Sequence, residues 1–221
     1  AGDVTDTGSA QEAQLFLRVF GPRRSPVLFV GGNHEDAPAL RVFRRAGLRI
    51  VSDTAVTVAG VTVLGASDPV ASEPQTASDA PALIAAGIRL DALWRLAQPQ
   101  PQMVLVHDAR EAADTIASAQ EAGAALVVAF GNDHVAGVTS DDGVVQVDAG
   151  TAGASGYEAI GAASPAPSLA SGLEPPASSR NVYTYQLIDF SRPASPHLVA
   201  VTTVSYAGGG RTVVTYTPFG Q

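Results

Sequence analysis

The chain has 221 residues, 46% of them hydrophobic, which suits one domain, or one domain with an appendage, around a sizeable core. Its formal charge is −8 and no basic stripe runs along it, so there is no strong nucleic-acid footprint. Disulfides and thiolate metal sites are excluded because there is no cysteine, and no apolar run approaches the roughly 20 residues that span a bilayer, so this chain shows no membrane segment.

In chain order, residues 11–20 have helical apolar spacing, with Leu15 and Val19 among the periodic positions, and Gly21-Pro22 ends the pattern. Residues 27–30 read as a short buried strand running into Gly31-Gly32. Asp36 suits the N-cap of a helix over 37–46 that Gly47 closes. Arg41, Arg44, Arg45 and Arg49 space like the exposed face of one helix. Residues 56–58 and 61–64, joined by Ala59-Gly60, read as a hairpin with a two-residue turn. A loop follows over 68–80, then a helix over 81–96 with Leu83, Ile84, Ile88 and Trp94 as candidate core contacts.

Residues 103–106 form a strand that delivers His107, and a helix over 111–122 closes at Gly123. Residues 126–130 form a strand that delivers Gly131 to His134. Segments 135–139 and 144–147 read as strands around the turn Asp141-Asp142-Gly143. Residues 161–179, rich in Pro, Ala and Ser, read as a loop or linker. Segments 182–190, 198–206 and 212–217 alternate like antiparallel strands. Strand–helix alternation first and strands later predicts a layered α/β sandwich whose second sheet is mostly antiparallel.

Four short motifs carry the chemistry. Gly2-Asp3 opens the chain, Gly31-Gly32-Asn33-His34-Glu35 follows a strand, His107-Asp108 ends another, and Gly131-Asn132-Asp133-His134 follows a third. The glycines allow close backbone approach to an ion or phosphate. The amide oxygen of Asn33 suits a hard or borderline cation, and the imidazoles suit transition metals. A metal-ligating histidine usually passes its other N–H to a carboxylate or carbonyl; Asp108 is a candidate for that partner, although neighbours in an extended strand point apart. Taken singly, His107 also reads as a core histidine, Asp3 as a surface residue and the Asn33 loop as a capped turn. His197, in a Pro/Ser loop, reads as surface.

In this order the set resembles the calcineurin-like metallophosphoesterases. "LGASDP" at 64–69 and "VDAGTAGASG" at 147–156 extend the resemblance weakly. The resemblance implies a single metallophosphoesterase-like domain over 1–221, N-terminally incomplete, built as a four-layer α/β/β/α sandwich. It implies two divalent or trivalent metal ions (Mn, Zn or Fe). Asp3 would bridge them, Asn33 and His107 would hold one, and His134 the other. His34 would protonate the leaving oxygen or steady the transition state. The implied reaction is hydrolysis of a phosphomonoester or phosphodiester by metal-bound hydroxide, on a small phosphate-ester substrate.

The sequence departs from the family pattern twice. The opening Asp-x-His motif is missing and is expected upstream of Ala1. Asn132 stands where the family usually has a ligand histidine; its oxygen can coordinate, though less well than imidazole. One site is therefore expected to be incomplete. A non-catalytic phosphoesterase-fold domain for binding or scaffolding is the alternative. Nucleotides, cyclic nucleotides, lipid-linked phosphates and phosphoproteins all stay open as substrates. Abundant Ala, Gly, Arg and Pro without lysine suggests a GC-rich bacterial source, leaving cytoplasmic and membrane-anchored extracytoplasmic locations open.

Overall fold

The structure is a computed structural model describing residues 2–20, 25–70, 80–150, 182–191, 196–207 and 211–220. It begins with α1 (Ala10–Phe20), β1 (Leu28–Phe29), α2 (Ala37–Arg45) and β2 (Arg49–Ile50). Strands β1 and β2 pair in parallel. Ala13, Ala39 and Phe43 from the two helices pack with Phe29 and Leu48 into one core. The Phe43 ring meets Phe29 at 5.0 Å and Phe16 at 5.6 Å between centroids.

A mixed six-stranded sheet follows. It contains β3 (Thr54–Val58), β4 (Val61–Gly65), β5 (Met103–Leu105), β6 (Leu126–Phe130), β7 (Gly137–Asp141) and β8 (Val144–Asp148), in the order β3-β4-β5-β6-β8-β7. The inner strands β4, β5, β6 and β8 are parallel, and β3 and β7 flank them antiparallel. The β3–β4 turn places Ala59 at φ 51° and Gly60 at φ 90°, and the β7–β8 turn places Asp142 at 43° and Gly143 at 80°. Two consecutive positive φ values define the type I′ turn whose twist matches its strands, which is why glycine appears in both.

Helices α3 (Ala80–Leu96) and α4 (Ala113–Ala122) cover one face of this sheet. Leu90, Trp94 and Ala119 meet Leu64, Val104, Leu126 and Val128 there. The opposite face carries Val127, Val145 and Val147 against Val201. Val201 belongs to an antiparallel sheet of β9 (Val182–Phe190), β10 (Leu198–Ala207) and β11 (Arg211–Pro218), in the order β11-β10-β9. Strand β6 is thus covered on both sides, and its two-residue side-chain period sends Leu126 and Val128 to the helices and Val127 to the second sheet. That double burial explains its unbroken apolar run.

The fold is α/β with a mixed sheet and several helices, as the alternation of elements predicts. Two core assignments need correcting. Ile84 and Ile88 are each 60% exposed. Helix α3 buries Leu83, Ala86, Gly87, Leu90 and Trp94, one stripe at three- and four-residue spacing, and the isoleucines sit one position outside it. Segment 135–139 starts late, since β7 begins at Gly137 and Val135 is half exposed. Segment 111–122 divides into a 3₁₀ turn, Ala109–Ala112, and α4. The loop or linker at 161–179 and the end of the "VDAGTAGASG" stretch lie outside the described residues.

Candidate metal centre

Apart from Asp3, which precedes the first described element, the predicted site residues sit where parallel strands end. Gly31 to Glu35 follow β1, Ser67 and Asp68 follow β4, His107 and Asp108 follow β5, and Asn132 to His134 follow β6. In open α/β sheets, the crevice beyond the carboxyl ends of the strands is where ligands bind. Backbone bonds tie these ends together. Asp68 N donates to Gly31 O at 2.9 Å, Ala66 N to Leu105 O at 3.1 Å, and Gly131 N to His107 O at 3.2 Å.

Three donor atoms converge at the centre of this crevice. His107 Nε2 lies 3.1 Å from Asp3 Oδ2 and 3.2 Å from Asn33 Oδ1. His107 and Asn33 are almost wholly buried, at 1% and 4% exposure. Both oxygens are acceptors, so an Nε2–H on His107 can donate toward each. The spacing also suits coordination, because ligands at right angles, each about 2.1 Å from one ion, lie about 3.0 Å apart. The donor set, carboxylate, amide oxygen and imidazole, is one that a borderline divalent ion accepts. Among the described residues no group of three His, Cys, Asp or Glu side chains converges on an ion, so the third donor here is an amide.

Asp3 is held in an uncommon backbone conformation, φ 60°. Its Oδ1 accepts from His34 N at 3.1 Å, leaving Oδ2 for His107. Burial pushes its carboxyl up, but the hydrogen bond and charge of His107, with help from His34, bring it below the usual aspartate value.

Glu35 organises this conformation, and the sequence reading did not single it out. One carboxylate, 5% exposed, accepts Asp3 N at 2.7 Å, Val4 N at 2.8 Å, Thr5 N at 3.0 Å, Gly32 N at 2.8 Å and Thr5 Oγ1 at 3.1 Å. It laces the 2–5 segment onto the 31–35 loop. The approach is close enough that a Cβ on Gly2 would collide with the Gly32 backbone, and one on Gly32 with the Asp3 carboxylate. The available signal was the motif's final glutamate beside two glycines, since an acid in a glycine turn can gather exposed N–H groups.

His34 is half-buried and faces a different partner. Its Nδ1–H donates to the Asp6 carbonyl at 2.8 Å, which leaves Nε2 to exchange a proton. Burial pulls its pKa down, but that hydrogen bond and the charges of Asp3, Asp6 and Glu35 carry it above the ordinary histidine value. His34 and Asn33, though adjacent, therefore face different partners: Asn33 Oδ1 meets His107, and His34 Nδ1 meets the Asp6 carbonyl.

The remaining residues divide. Asn132 Nδ2 donates to Asp108 Oδ2 at 3.0 Å. Asp108 is in turn held by the Arg110 side chain and accepts Arg110 N at 2.8 Å. Asp108 turns to these partners and not to the His107 ring, whose buried Nδ1 has no hydrogen-bond partner among the described residues. Burial raises the Asp108 carboxyl, but Arg110 outweighs it and holds the group low. His134 adopts φ 61°, is half-buried, and makes no hydrogen bond or ion pair among the described residues. His197 is exposed, its Nδ1 2.9 Å from Ser191 Oγ.

Two further carboxylates line the region. Asp68 is raised by burial and by its proximity to Asp108 and Asp3. Glu111, fully buried beneath the 107–108 turn, is pushed up to about 8, first by burial and then by Asp68.

No protein-family description and no curated protein matches the chain. Among solved structures, a single mutant of Vps29 from Entamoeba histolytica superposes with a TM-score of 0.35 at 12% identity, over 100% of this chain and 92% of that one. A likeness of that size bears on neither activity nor ligand.

Proposed function

We propose that this chain is a calcineurin-like metallophosphoesterase domain acting on a small phosphate ester. The supporting observation is the meeting of Asp3 Oδ2 and Asn33 Oδ1 at His107 Nε2, from three separate loops. Asp3, Asn33 and His107 would hold one Mn, Zn or Fe ion, with Asn132 as a further oxygen donor once it leaves Asp108. His134 would serve a second ion that shares Asp3. A bound ion polarises a water and neutralises the ester oxygens. His34 gives its Nε2 proton to the leaving oxygen, and its pKa, raised by the Asp6 carbonyl and the nearby carboxylates, favours the protonated ring that this role needs. The fold that goes with this reading is one domain with a four-layer α/β/β/α sandwich.

A second reading has its own observation. Asn132 is engaged by Asp108, which Arg110 in turn holds, an arrangement that suits a binding or scaffolding domain of the same fold with no turnover. Hydrolysis of p-nitrophenyl phosphate and bis(p-nitrophenyl) phosphate with added Mn²⁺ separates the two. Turnover lost in Asp3→Asn and His107→Ala supports the enzyme, and metal binding without turnover supports the scaffold.

A further inference from the structure

The outer α layer carries a surface that the cleft does not explain. Helix α1 turns Ala13, Phe16 and Leu17 toward its core and leaves Leu15 and Val19 outward, 58% and 65% exposed; Phe20, at its end, stacks on Phe16. Arg18 lies between them, also exposed. Helix α2 packs beside α1, Phe16 against Phe43, and presents Arg41, Arg44 and Arg45 on the side away from that core. None of these four arginines forms an ion pair among the described residues. Helix α2 contains no acidic residue, and the one acid of α1, Glu12, turns back onto Thr7 and Ser9.

We propose that the paired outer faces of α1 and α2 dock on an anionic lipid bilayer. Charge complementarity selects a negative partner, since four arginines that form no ion pair among the described residues project from two packed helices in a chain of net charge −8. The exposed Leu15 and Val19 select a partner with an apolar layer just beneath its charges. A bilayer interface offers that order, headgroup phosphates above acyl chains. A nucleic acid would neutralise the arginines and leave the apolar side chains in water. The C-terminal turn of α2 accounts for Arg44 and Arg45 through the helix dipole, but not for the exposed Leu15 and Val19 of α1. The acidic remainder of the chain does not prevent docking, because charges beyond about 8 Å are screened at physiological salt while contacting ones are not. The proposal is independent of the chemistry of the cleft.

Co-sedimentation of the full chain with phosphatidylglycerol-containing vesicles, against pure phosphatidylcholine vesicles, tests it. Binding is expected only to the anionic vesicles and is expected to fall with added NaCl. Each arginine is worth about fivefold in affinity, so Arg41→Glu with Arg44→Glu should lower binding by at least roughly 25-fold. Leu15→Ser with Val19→Ser should weaken binding while leaving the charge unchanged. All four positions are exposed, and an unchanged melting curve confirms folding of each variant. Equal binding to both vesicle types, no binding to either, or indifference to the arginine pair would overturn the proposal. So would binding to a DNA duplex that outcompetes vesicles and ignores Leu15→Ser with Val19→Ser.

Discussion

The Glu35 carboxylate receives the Asp3 backbone N–H at 2.7 Å, and that bond places the Asp3 side chain against His107. Glu35 gathers three consecutive N–H groups, Asp3, Val4 and Thr5, together with Gly32. These donors share one negative charge, which makes each bond stronger than a neutral one. The site's geometry therefore depends on a residue that touches neither His107 nor the donors facing it.

Glu35→Gln keeps the shape and turns an NH₂ toward N–H groups. Hydrogen bonds to a charged group contribute roughly 1.5–3 kcal/mol each, not additively, so a loss of about 3 kcal/mol or more in urea unfolding is expected. Metal affinity should fall with it. Unchanged stability would mean that the 2–5 segment is held by other contacts.

Asn132→His should tighten metal binding and raise phosphatase activity, because imidazole replaces a weaker amide ligand. It should also free Asp108 from the bond it now accepts. Calorimetric titration with Mn²⁺ measures the first effect. An unchanged dissociation constant would show that position 132 faces Asp108 and not the ion.

His34→Ala should lower kcat by roughly 10²–10⁴ with metal content unchanged. The loss should shrink for p-nitrophenyl esters, whose leaving groups need little protonation. The raised pKa of His34 sets the sign of the pH profile. Activity that needs the protonated ring persists above pH about 6.5 and falls as pH rises through the raised value. Loss of metal from His34→Ala would reassign it as a ligand.

Stability should peak at mildly acid pH. Glu111 titrates near 8 when folded and near 4.5 when unfolded, so the folded state binds an extra proton between those values. Stability from Glu111 is complete below the unfolded value and falls by about 1.4 kcal/mol per pH unit until about pH 8. Asp148, raised by burial and by Asp133, acts in the same direction. Asp3 and Asp108 act oppositely: lowered when folded, their stabilisation is present above the unfolded value and lost as pH drops through the folded one. Glu111→Gln retains the oxygen that accepts Asp108 N and should flatten the alkaline decline in melting temperature. An unaltered slope would exclude Glu111 as its source.

Much of this architecture was legible in sequence, for identifiable reasons. Strand β6 is bounded by Gly123 and Gly131 and is apolar throughout, so its position and its delivery of Asn132 to His134 follow from local pattern. Asn33 follows β1 and His107 follows β5, each a strand with a parallel neighbour, so strand–helix alternation delivers both to carboxyl ends of strands. The isoleucines of α3 were misread because an Ala-rich helix blurs the apolar stripe, and Gly87 rather than Ile88 faces the 3₁₀ turn. The role of Glu35 was hidden because its partners, Thr5 Oγ1 apart, are backbone groups, which no side-chain motif displays. The Asp108–Asn132 bond depends on the reach of two loops, which strand order alone does not set.

The central claim is that Asp3, Asn33 and His107 make a metal centre, and isothermal titration of the chain with Mn²⁺ or Zn²⁺ tests it most directly. The account predicts heat of binding and a rise in melting temperature with metal concentration, since a ligand specific to the folded state must stabilise it. Both effects should vanish in His107→Ala. No heat above buffer and an unchanged melting temperature in the wild-type chain would contradict it.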